Sequence, residues 1–163
     1  MKTLLIIRHA KSESPFTLSD FERPLNDRGK KDAPEMAARV KARKIFPGAF
    51  ISSPAKRAKK TAELFCEGMG ADKDAIIFIS ALYHAPAPVF FEVIKEIGND
   101  IEIAAIFSHN PGITHFVNQL CSDVRLDNMP TCGVFAVNAH CSTWKEFEKA
   151  KKDFLFFDYP RNI

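Results

Sequence analysis

The sequence predicts a three-layer α/β/α sandwich built around a mostly parallel sheet of about six strands. Short apolar runs of strand length recur along the chain, beginning with Thr3 to Ile7. Segments with helical periodicity follow most of these runs, and repeated strand-helix units are typical of a parallel sheet covered by helices on both faces. The 163 residues suit one compact domain, so we expect a single domain over residues 1–163.

The composition narrows the class of protein. Hydrophobic residues make up 46% and charged residues 26% of the chain, which is ordinary for a globular domain. No segment approaches the ~18 apolar residues of a membrane helix, and the apolar run that ends at Arg8 is too short for a signal peptide. The net charge of +3 is too small to indicate nucleic-acid binding. We therefore expect neither a membrane nor a nucleic acid as partner.

The cysteines indicate a reducing environment. They form no CxxC pair and lie in or beside apolar stretches, at Cys66, Cys121, Cys132 and Cys141. This pattern favours free structural thiols in a cytoplasmic protein and argues against a zinc site. We expect no metal, no other cofactor and a monomer.

A long loop and a helix follow the first strand. Residues Lys11 to Arg28 are polar and interrupted by prolines, and a loop of this length in a small domain is often functional. The pattern then predicts a helix over Gly29 to Lys44 with Asn26 or Asp27 as its N-cap. Pro34 suggests that this helix starts later than Asp27.

The remaining elements alternate. A second strand is predicted over Ala49 to Ser53 and a helix from Pro54 to Phe65, capped by Ser52 or Ser53. The predicted elements that follow are a strand over Ala75 to Ser80, a helix over Pro86 to Gly98, a strand over Ile101 to Phe107, a helix over Ile113 to Cys121, a strand over Cys132 to Ala139, a short helix over Thr143 to Ala150 and a strand over Asp153 to Asp158.

Basic side chains follow three of these strands. Arg8 and His9 end the first strand, Arg57 lies in the opening turn of the helix after the second, and His109 follows the fourth. The carboxyl ends of parallel strands meet at one edge, where ligands of open α/β sheets bind. Helix N-termini add N–H groups at the same edge. The sequence therefore predicts a pocket for an anion with several oxygens.

Two histidines in such a pocket indicate chemistry as well as binding. Arginine forks hold phosphoryl oxygens in pairs, which suits Arg8 and Arg57. Neighbouring positive charge disfavours protonation of His9 and leaves a neutral imidazole able to attack phosphorus, provided that a backbone carbonyl holds the other ring N–H. His109 can then donate a hydrogen bond to a phosphoryl oxygen. Because the cationic side chains supply the charge, no metal is required.

Simpler roles are also compatible with several polar residues of the chain. An Arg-His pair can end a strand in solvent, and the basic clusters at Arg39 to Lys44 and Lys56 to Lys60 are typical of solvated helix faces. Ser12 and Ser53 lack the Gly-x-Ser-x-Gly turn of a serine nucleophile, so both are expected to be capping residues.

Five motifs, in order along the chain, resemble the histidine phosphatase superfamily, and within it the SixA-type phosphohistidine phosphatases. They are Arg8-His9-Ala10-Lys11-Ser12, Arg23-Pro-Leu, Ser52-Ser-Pro-Ala-Lys-Arg57-Ala, Thr61-Ala and Ser108-His109-Asn110-Pro-Gly112. The resemblance implies a phosphoglycerate mutase-like fold and a phosphatase that forms a phosphohistidine on His9. It also implies a phosphate pocket of Arg8, Arg57 and His109, with Arg23 as an additional phosphate ligand. The implied partner is a phosphohistidine-bearing protein, with a phosphotransfer domain as one candidate.

The sequence departs from the wider superfamily in ways that bear on the substrate. Most members have glycine where Ala10 stands, and many carry a carboxylic acid near Tyr83, whereas no Glu or Asp occurs between Ser80 and Phe91. An alkoxide leaving group needs that acid, while an imidazole can leave neutral after taking a proton near pH ~6.5. The absence favours phosphohistidine over a sugar phosphate. His84 is a candidate general acid; the alternative is an exposed loop histidine.

Two further functions are compatible with the same residues. One is a small-molecule phosphomonoesterase with the same pocket, although the short linkers leave the site uncapped and favour a protein-borne substrate. The other is a noncatalytic phosphate- or phosphohistidine-binding module, which would bind phosphate without turnover.

Overall fold

A six-stranded sheet forms the middle of the protein in the computed structural model, which describes residues 1–162. Its strands are β1 (Lys2–Arg8), β2 (Ala49–Ser52), β3 (Ile77–Phe78), β4 (Ile103–Ser108), β5 (Val134–Ala139) and β6 (Lys152–Asp158). Their order is β3-β2-β4-β1-β5-β6. The β1–β4, β2–β4 and β2–β3 pairs are parallel, whereas β5 is antiparallel to both β1 and β6. The predicted mostly parallel sheet is confirmed.

Helices cover both faces of the sheet. They are α1 (Asp27–Ala42), α2 (Lys56–Met69), α3 (Ala87–Lys95) and α4 (Gly112–Val117). Because side chains alternate along a strand, Leu5 and Ile7 of β1 pack in the cluster formed with α1 and α2, while Leu4 and Ile6 pack with α3 and α4. The three-layer arrangement predicted from the sequence is therefore confirmed.

The start of α1 differs from the prediction. The helix begins at Asp27, and the Asn26 side chain accepts a hydrogen bond from the Gly29 N–H at 2.9 Å. Pro34 lies inside the helix, so the inference that it delays the helix start was wrong. The Asn26 cap sets the first turn, and Pro34 removes a single backbone donor further along.

Helix α2, in contrast, starts later than predicted. It begins at Lys56 with Ala55 at the N-cap position, so Pro54 is outside the helix and neither serine is the cap residue. The Ser53 hydroxyl instead accepts from the Ala55 N–H at 3.2 Å, while the Ser52 hydroxyl donates to the Ser53 carbonyl at 2.9 Å. Both serines therefore serve the turn that precedes the helix.

Several other elements are shorter than predicted. The third strand is reduced to Ile77–Phe78 between two 3-10 helices, Lys73–Ala75 and Ser80–Leu82. The helix predicted over 143–150 is a 3-10 helix over Trp144–Glu146, because the buried Trp144 is fixed by an Nε1–H bond to the Ile101 carbonyl at 2.8 Å. Helix α4 ends at Val117. The side chain of the next residue, Asn118, donates to the Leu126 carbonyl and accepts from the Leu126 N–H, and these bonds redirect the chain.

Within residues 1–162, no helix combines the length and the apolar character that a membrane crossing needs.

Candidate active site

The predicted site residues meet at the carboxyl edge of the sheet. Arg8 and Ser108 are partners in the parallel β1–β4 register, so His9 and His109 leave neighbouring strands, and their ring centroids lie 5.2 Å apart. A cavity of about 300 Å³ lies at this edge. It is lined by all six residues singled out from the sequence: Arg8, His9, Arg23, Arg57, His84 and His109.

His9 is held in one tautomer. Its Nδ1 lies 2.8 Å from the Ala10 carbonyl oxygen, and because a carbonyl only accepts, Nδ1 carries the hydrogen. The lone pair of the neutral ring is therefore on Nε2, which accepts from Arg57 Nε–H at 3.3 Å. Burial lowers the pKa of His9 well below its ordinary value, and the charges of His109, Arg57 and Arg8 lower it further. The ring is neutral as expected, but burial contributes more than the neighbouring charge from which neutrality was predicted.

Thr61 connects the end of β1 to α2. Its hydroxyl accepts from the Ala10 N–H at 3.0 Å and donates to the Arg57 carbonyl at 2.7 Å. Thr61 is fully buried. This hydrogen-bonded link fixes the backbone on both sides of the His9–Arg57 contact.

Arg57 is 4% exposed, and a single residue of the long loop holds its outer end. Nη1 donates to the Asp20 carbonyl at 2.6 Å, and Nη2 donates to Asp20 Oδ2 at 3.1 Å. With Nε directed to His9, the plane of the guanidinium is fixed at both ends.

Asp20 is the centre of a polar cluster at the cavity mouth. Its carboxylate accepts from the Tyr83 hydroxyl at 2.6 Å and from Arg23 Nη1 at 2.8 Å. The Tyr83 bond, followed by the Arg23 and Arg57 bonds, holds the pKa of Asp20 far below its usual range despite some opposing desolvation. His84 Nε2 lies 3.8 Å from the same carboxylate. Asp20 is thus an ionised side chain, unable to donate a proton near neutral pH.

Arg23 forms a wall of the cavity. Besides its bond to Asp20, Nε donates to the Glu13 carbonyl at 2.8 Å and Nη2 to the Ser12 hydroxyl at 2.7 Å. These bonds tie the two ends of the 11–28 loop together.

Among the described residues, His109 and Arg8 each carry a buried polar atom that has no hydrogen-bond partner. His109 is 3% exposed, its Nε2 lies 2.8 Å from the Ser53 hydroxyl, and burial with the charge of Arg57 lowers its pKa to about 3. Arg8 Nη1 donates to the Met129 carbonyl at 2.8 Å. Within residues 1–162, Arg8 Nε and His109 Nδ1 are buried and have no hydrogen-bond partner. An anion with several oxygens would match this donor-rich pocket.

His84 lies at the rim of the cavity. Its backbone is in the left-handed region at φ 59°, its side chain is 64% exposed, and its ring centroid is 3.9 Å from that of Tyr83. The centroid of His109 is 6.4 Å away. Gly112 allows this loop to sit close to the start of α4, since a Cβ there would come within 1.7 Å of the Ala85 carbonyl oxygen.

Among the described residues, no group of three or more His, Cys, Asp or Glu side chains is arranged to hold a metal ion.

Sequence reasoning missed Asp20 and Tyr83 as parts of the site. Asp20 stands three residues before Arg23 in a loop already marked as functional by its length, and that is the one signal that pointed to it. The Tyr83 ring contacts Phe21, and its hydroxyl binds Asp20. Ser53 was expected to cap a helix; it does not, and its hydroxyl instead contacts His109.

Comparisons with known proteins agree with this geometry. Residues 4–77 match the family model described as histidine phosphatase superfamily (branch 1). An uncharacterized protein of Mycobacterium tuberculosis is 27% identical over 164 residues, which cover 95% of this chain and all of that protein.

Two solved structures share the fold over nearly the whole chain. The protein histidine phosphatase SixA complexed with tungstate superimposes with a TM-score of 0.83 at 20% identity, covering 98% of each chain. A protein described as a candidate phosphohistidine phosphatase SixA, from Agrobacterium tumefaciens, gives a TM-score of 0.81 at 20% identity, again covering 98% of each chain. The fold predicted from the sequence is therefore the fold of these structures.

Proposed function

We propose that this chain is a member of the histidine phosphatase superfamily, whose family model it matches over residues 4–77, and that it is a phosphohistidine phosphatase of the SixA type. It removes a phosphoryl group from a phosphohistidine side chain of another protein. The reaction passes through a covalent phosphohistidine on His9 and needs no metal ion.

The observation that carries the proposal is the orientation of His9. Nδ1–H of His9 is bonded to the Ala10 carbonyl. The lone pair is therefore on Nε2, which faces Arg57 Nε in the donor-rich cavity. A neutral imidazole whose unprotonated nitrogen lies beside a guanidinium is arranged to attack a phosphoryl group that the guanidinium binds.

The reaction has two steps. In the first, Nε2 of His9 forms a bond to phosphorus while the bond from phosphorus to the substrate imidazole breaks, and that imidazole leaves with a proton on its nitrogen. In the second, water attacks the phosphorus, the bond to His9 breaks, and inorganic phosphate leaves. His9 returns to its neutral form.

The surrounding donors stabilise the transferring group. Arg8 and Arg57 supply fixed cationic donors, and His109 supplies a further hydrogen bond once its ring carries a proton toward the phosphoryl oxygens. The Arg8 and His109 atoms without partners, Nε and Nδ1, add donor capacity to the site. Arg23 contributes charge from the cavity wall.

The state of Asp20 supports a phosphoramidate substrate. It is the carboxylate of the cavity, and its three hydrogen-bond donors keep it ionised, so it cannot protonate an alkoxide. An imidazole leaves without such help when its ring is already protonated. His84, exposed at the rim, is the residue we assign as a proton donor where one is needed.

We further propose that the protein acts in the cytoplasm. Its cysteines Cys66, Cys121, Cys132 and Cys141 are free, which fits a reducing compartment.

Turnover of a phosphohistidine peptide, a phosphoserine peptide and a panel of sugar phosphates tests the proposal. We expect the phosphohistidine peptide to be hydrolysed with the highest kcat/KM, and ³²P from it to be retained on His9 after an alkaline quench. Preference for an ester would favour the small-molecule phosphomonoesterase, and phosphate binding without turnover would favour the noncatalytic module. A His9→Ala variant as active as the wild type would exclude His9 as nucleophile.

A further inference from the structure

A second concave surface is lined by sequence neighbours of the active-site residues. This lysine groove, of about 560 Å³, is lined by Lys30 of α1, by Lys56, Lys59 and Lys60 of α2, and by Phe21 and Leu25 of the long loop. It is larger than the cavity of about 300 Å³ that holds the two histidines.

Residues of one short segment, 20–25, line both the active-site cavity and the lysine groove. In the segment 20–25, Asp20 and Arg23 face the cavity, whereas Phe21 and Leu25 face the lysine groove. On the first turns of α2, Arg57 faces the cavity and its sequence neighbour Lys56 faces the groove. The cavity and the lysine groove are therefore neighbouring surfaces, and a protein that covers the mouth of the cavity lies close to the groove.

The groove is positively charged. Lys30, Lys56, Lys59 and Lys60 are exposed, and none of them forms an ion pair within residues 1–162. Glu22 and Glu63 also line the groove, which leaves an excess of cations. Unpaired surface charges add little to stability but attract oppositely charged partners over about a Debye length, ~8 Å at physiological salt.

The usual area of a protein–protein interface indicates what kind of molecule binds the lysine groove. A specific protein–protein interface covers about 800 Å² on each partner, so a folded substrate that inserts a phosphohistidine into the cavity must also cover the adjoining surface. The apolar floor formed by Phe21 and Leu25 fits a protein surface, and the two glutamates disfavour a polyanion such as a nucleic acid.

We propose that the lysine groove is the docking surface for an acidic patch that flanks the phosphohistidine of the protein substrate. This inference rests on the proposed function, because the bound residue in the cavity is taken to be a phosphohistidine. The groove speeds encounter and orients the partner, while the chemistry stays with His9 and its neighbours.

The test uses two phosphohistidine peptides that differ only in the flanking residues, four glutamates in one and four glutamines in the other. It compares wild type with Lys56→Glu/Lys60→Glu, two positions one helical turn apart on the groove side of α2. The matched control is Lys145→Glu/Lys149→Glu, a reversal of two lysines that line a different pocket, beside the 3-10 helix 144–146.

We expect wild type and control to hydrolyse the glutamate peptide with a kcat/KM about tenfold above that of the glutamine peptide at low salt, and the groove variant to show a ratio near one. Added salt should reduce the ratio in wild type. Using a ratio cancels any effect of Lys56 on the chemistry itself. An unchanged ratio in the groove variant, or an equal loss in the control, would overturn the proposal.

A binding measurement separates this inference from the proposed function. Fluorescence anisotropy with the unphosphorylated glutamate peptide requires no turnover, and wild type should bind it more tightly than the groove variant does. Loss of that difference contradicts the docking surface even if phosphohistidine is hydrolysed. Its presence supports the surface even if hydrolysis is absent. If a uridine oligonucleotide binds the groove more tightly than the peptide does, the occupant is a nucleic acid and the proposal is wrong.

Discussion

The guanidinium of Arg57 joins the candidate nucleophile to Asp20: Nε contacts His9 Nε2 at 3.3 Å, while Nη2 contacts the Asp20 carboxylate at 3.1 Å. The Asp20 carbonyl adds a bond to Nη1 at 2.6 Å. Asp20 therefore fixes the arginine that lies against the candidate nucleophile, although Asp20 itself lies in a short 3-10 helix, Asp20–Glu22, within the long loop. We therefore predict that the Asp20 side chain affects the proposed reaction through Arg57.

Replacing Asp20 by alanine is expected to lower kcat for phosphohistidine hydrolysis between tenfold and about a hundredfold, since a misplaced reacting group costs on that order. Arg57 would lose the carboxylate that fixes its outer end. Steady-state kinetics of Asp20→Ala beside Glu22→Ala, the loss of an exposed carboxylate in the same 3-10 helix, provide the check. Rates for Asp20→Ala within twofold of wild type would rule out this positioning role.

Arg57→Lys tests whether the several N–H donors of the Arg57 guanidinium are needed for activity. A lysine keeps the positive charge but cannot bond at once to His9, to Asp20 and to a phosphoryl oxygen. We expect kcat to fall by about 10² to 10³, the usual cost of removing one transition-state donor, while the thermal midpoint changes little. Arg28→Lys, the same substitution at an exposed position of α1, should keep full activity. A fully active Arg57→Lys enzyme would contradict the pocket.

The convergence of Arg8, His9, Arg57 and His109 could be predicted because it depends on one topological fact. Side chains at the carboxyl ends of neighbouring parallel strands must meet at one edge, and the strands were recognisable from their apolar runs. The place of Asp20 could not be predicted in this way, because it depends on how the long loop folds back. That path is fixed by bonds between the loop and residues far from it in the sequence, such as those from Arg57 and Tyr83 to the Asp20 carboxylate.

The predicted boundaries of some elements were wrong for a related reason. Local pattern predicted a helix over 143–150, but the burial of Trp144 and its bond to the Ile101 carbonyl hold only a 3-10 turn there. Propensity along the chain contains no information about such a contact. The sequence was reliable where periodicity determined the element and unreliable where a single tertiary bond did.

His84→Asn distinguishes a proton donor from an exposed loop histidine. If His84 protonates leaving groups, its loss should slow hydrolysis of a phosphate ester by about 10² or more, the usual contribution of a general acid. The rate of phosphohistidine hydrolysis should fall by much less, because an imidazole leaves more readily than an alkoxide and has less need of a proton donor. His115→Asn, at another exposed histidine, is the control. Equal effects on both substrates, or none, would remove His84 from the mechanism.

The buried histidines should make folding stability depend on pH. Burial lowers the pKa of His9 and brings that of His109 to about 3, so below pH ~6.5 the unfolded chain binds protons that the folded chain does not. The free energy of unfolding therefore decreases as the pH falls from ~6.5 toward 4, by about 1 kcal/mol per pH unit for each group. Urea unfolding at pH 7 and pH 5 should show a smaller loss in His109→Asn than in wild type. Equal pH slopes in wild type and His109→Asn would contradict the assignment.

Gly112 is expected to be indispensable to the rim of the site. A Cβ at this position would lie 1.7 Å from the Ala85 carbonyl oxygen and 2.9 Å from its carbon, which backbone atoms cannot yield without moving the loop that holds Tyr83 and His84. Gly112→Ala should lower the free energy of unfolding by about 1–3 kcal/mol, the typical cost of overpacking, and also reduce turnover. At Gly48 the nearest atom would be a side-chain carbon at 3.6 Å, so Gly48→Ala should leave both quantities near wild type. Chemical denaturation and steady-state kinetics of the two variants measure this difference, and a Gly112→Ala protein as stable and active as Gly48→Ala would show that the loop does not depend on close approach to α4.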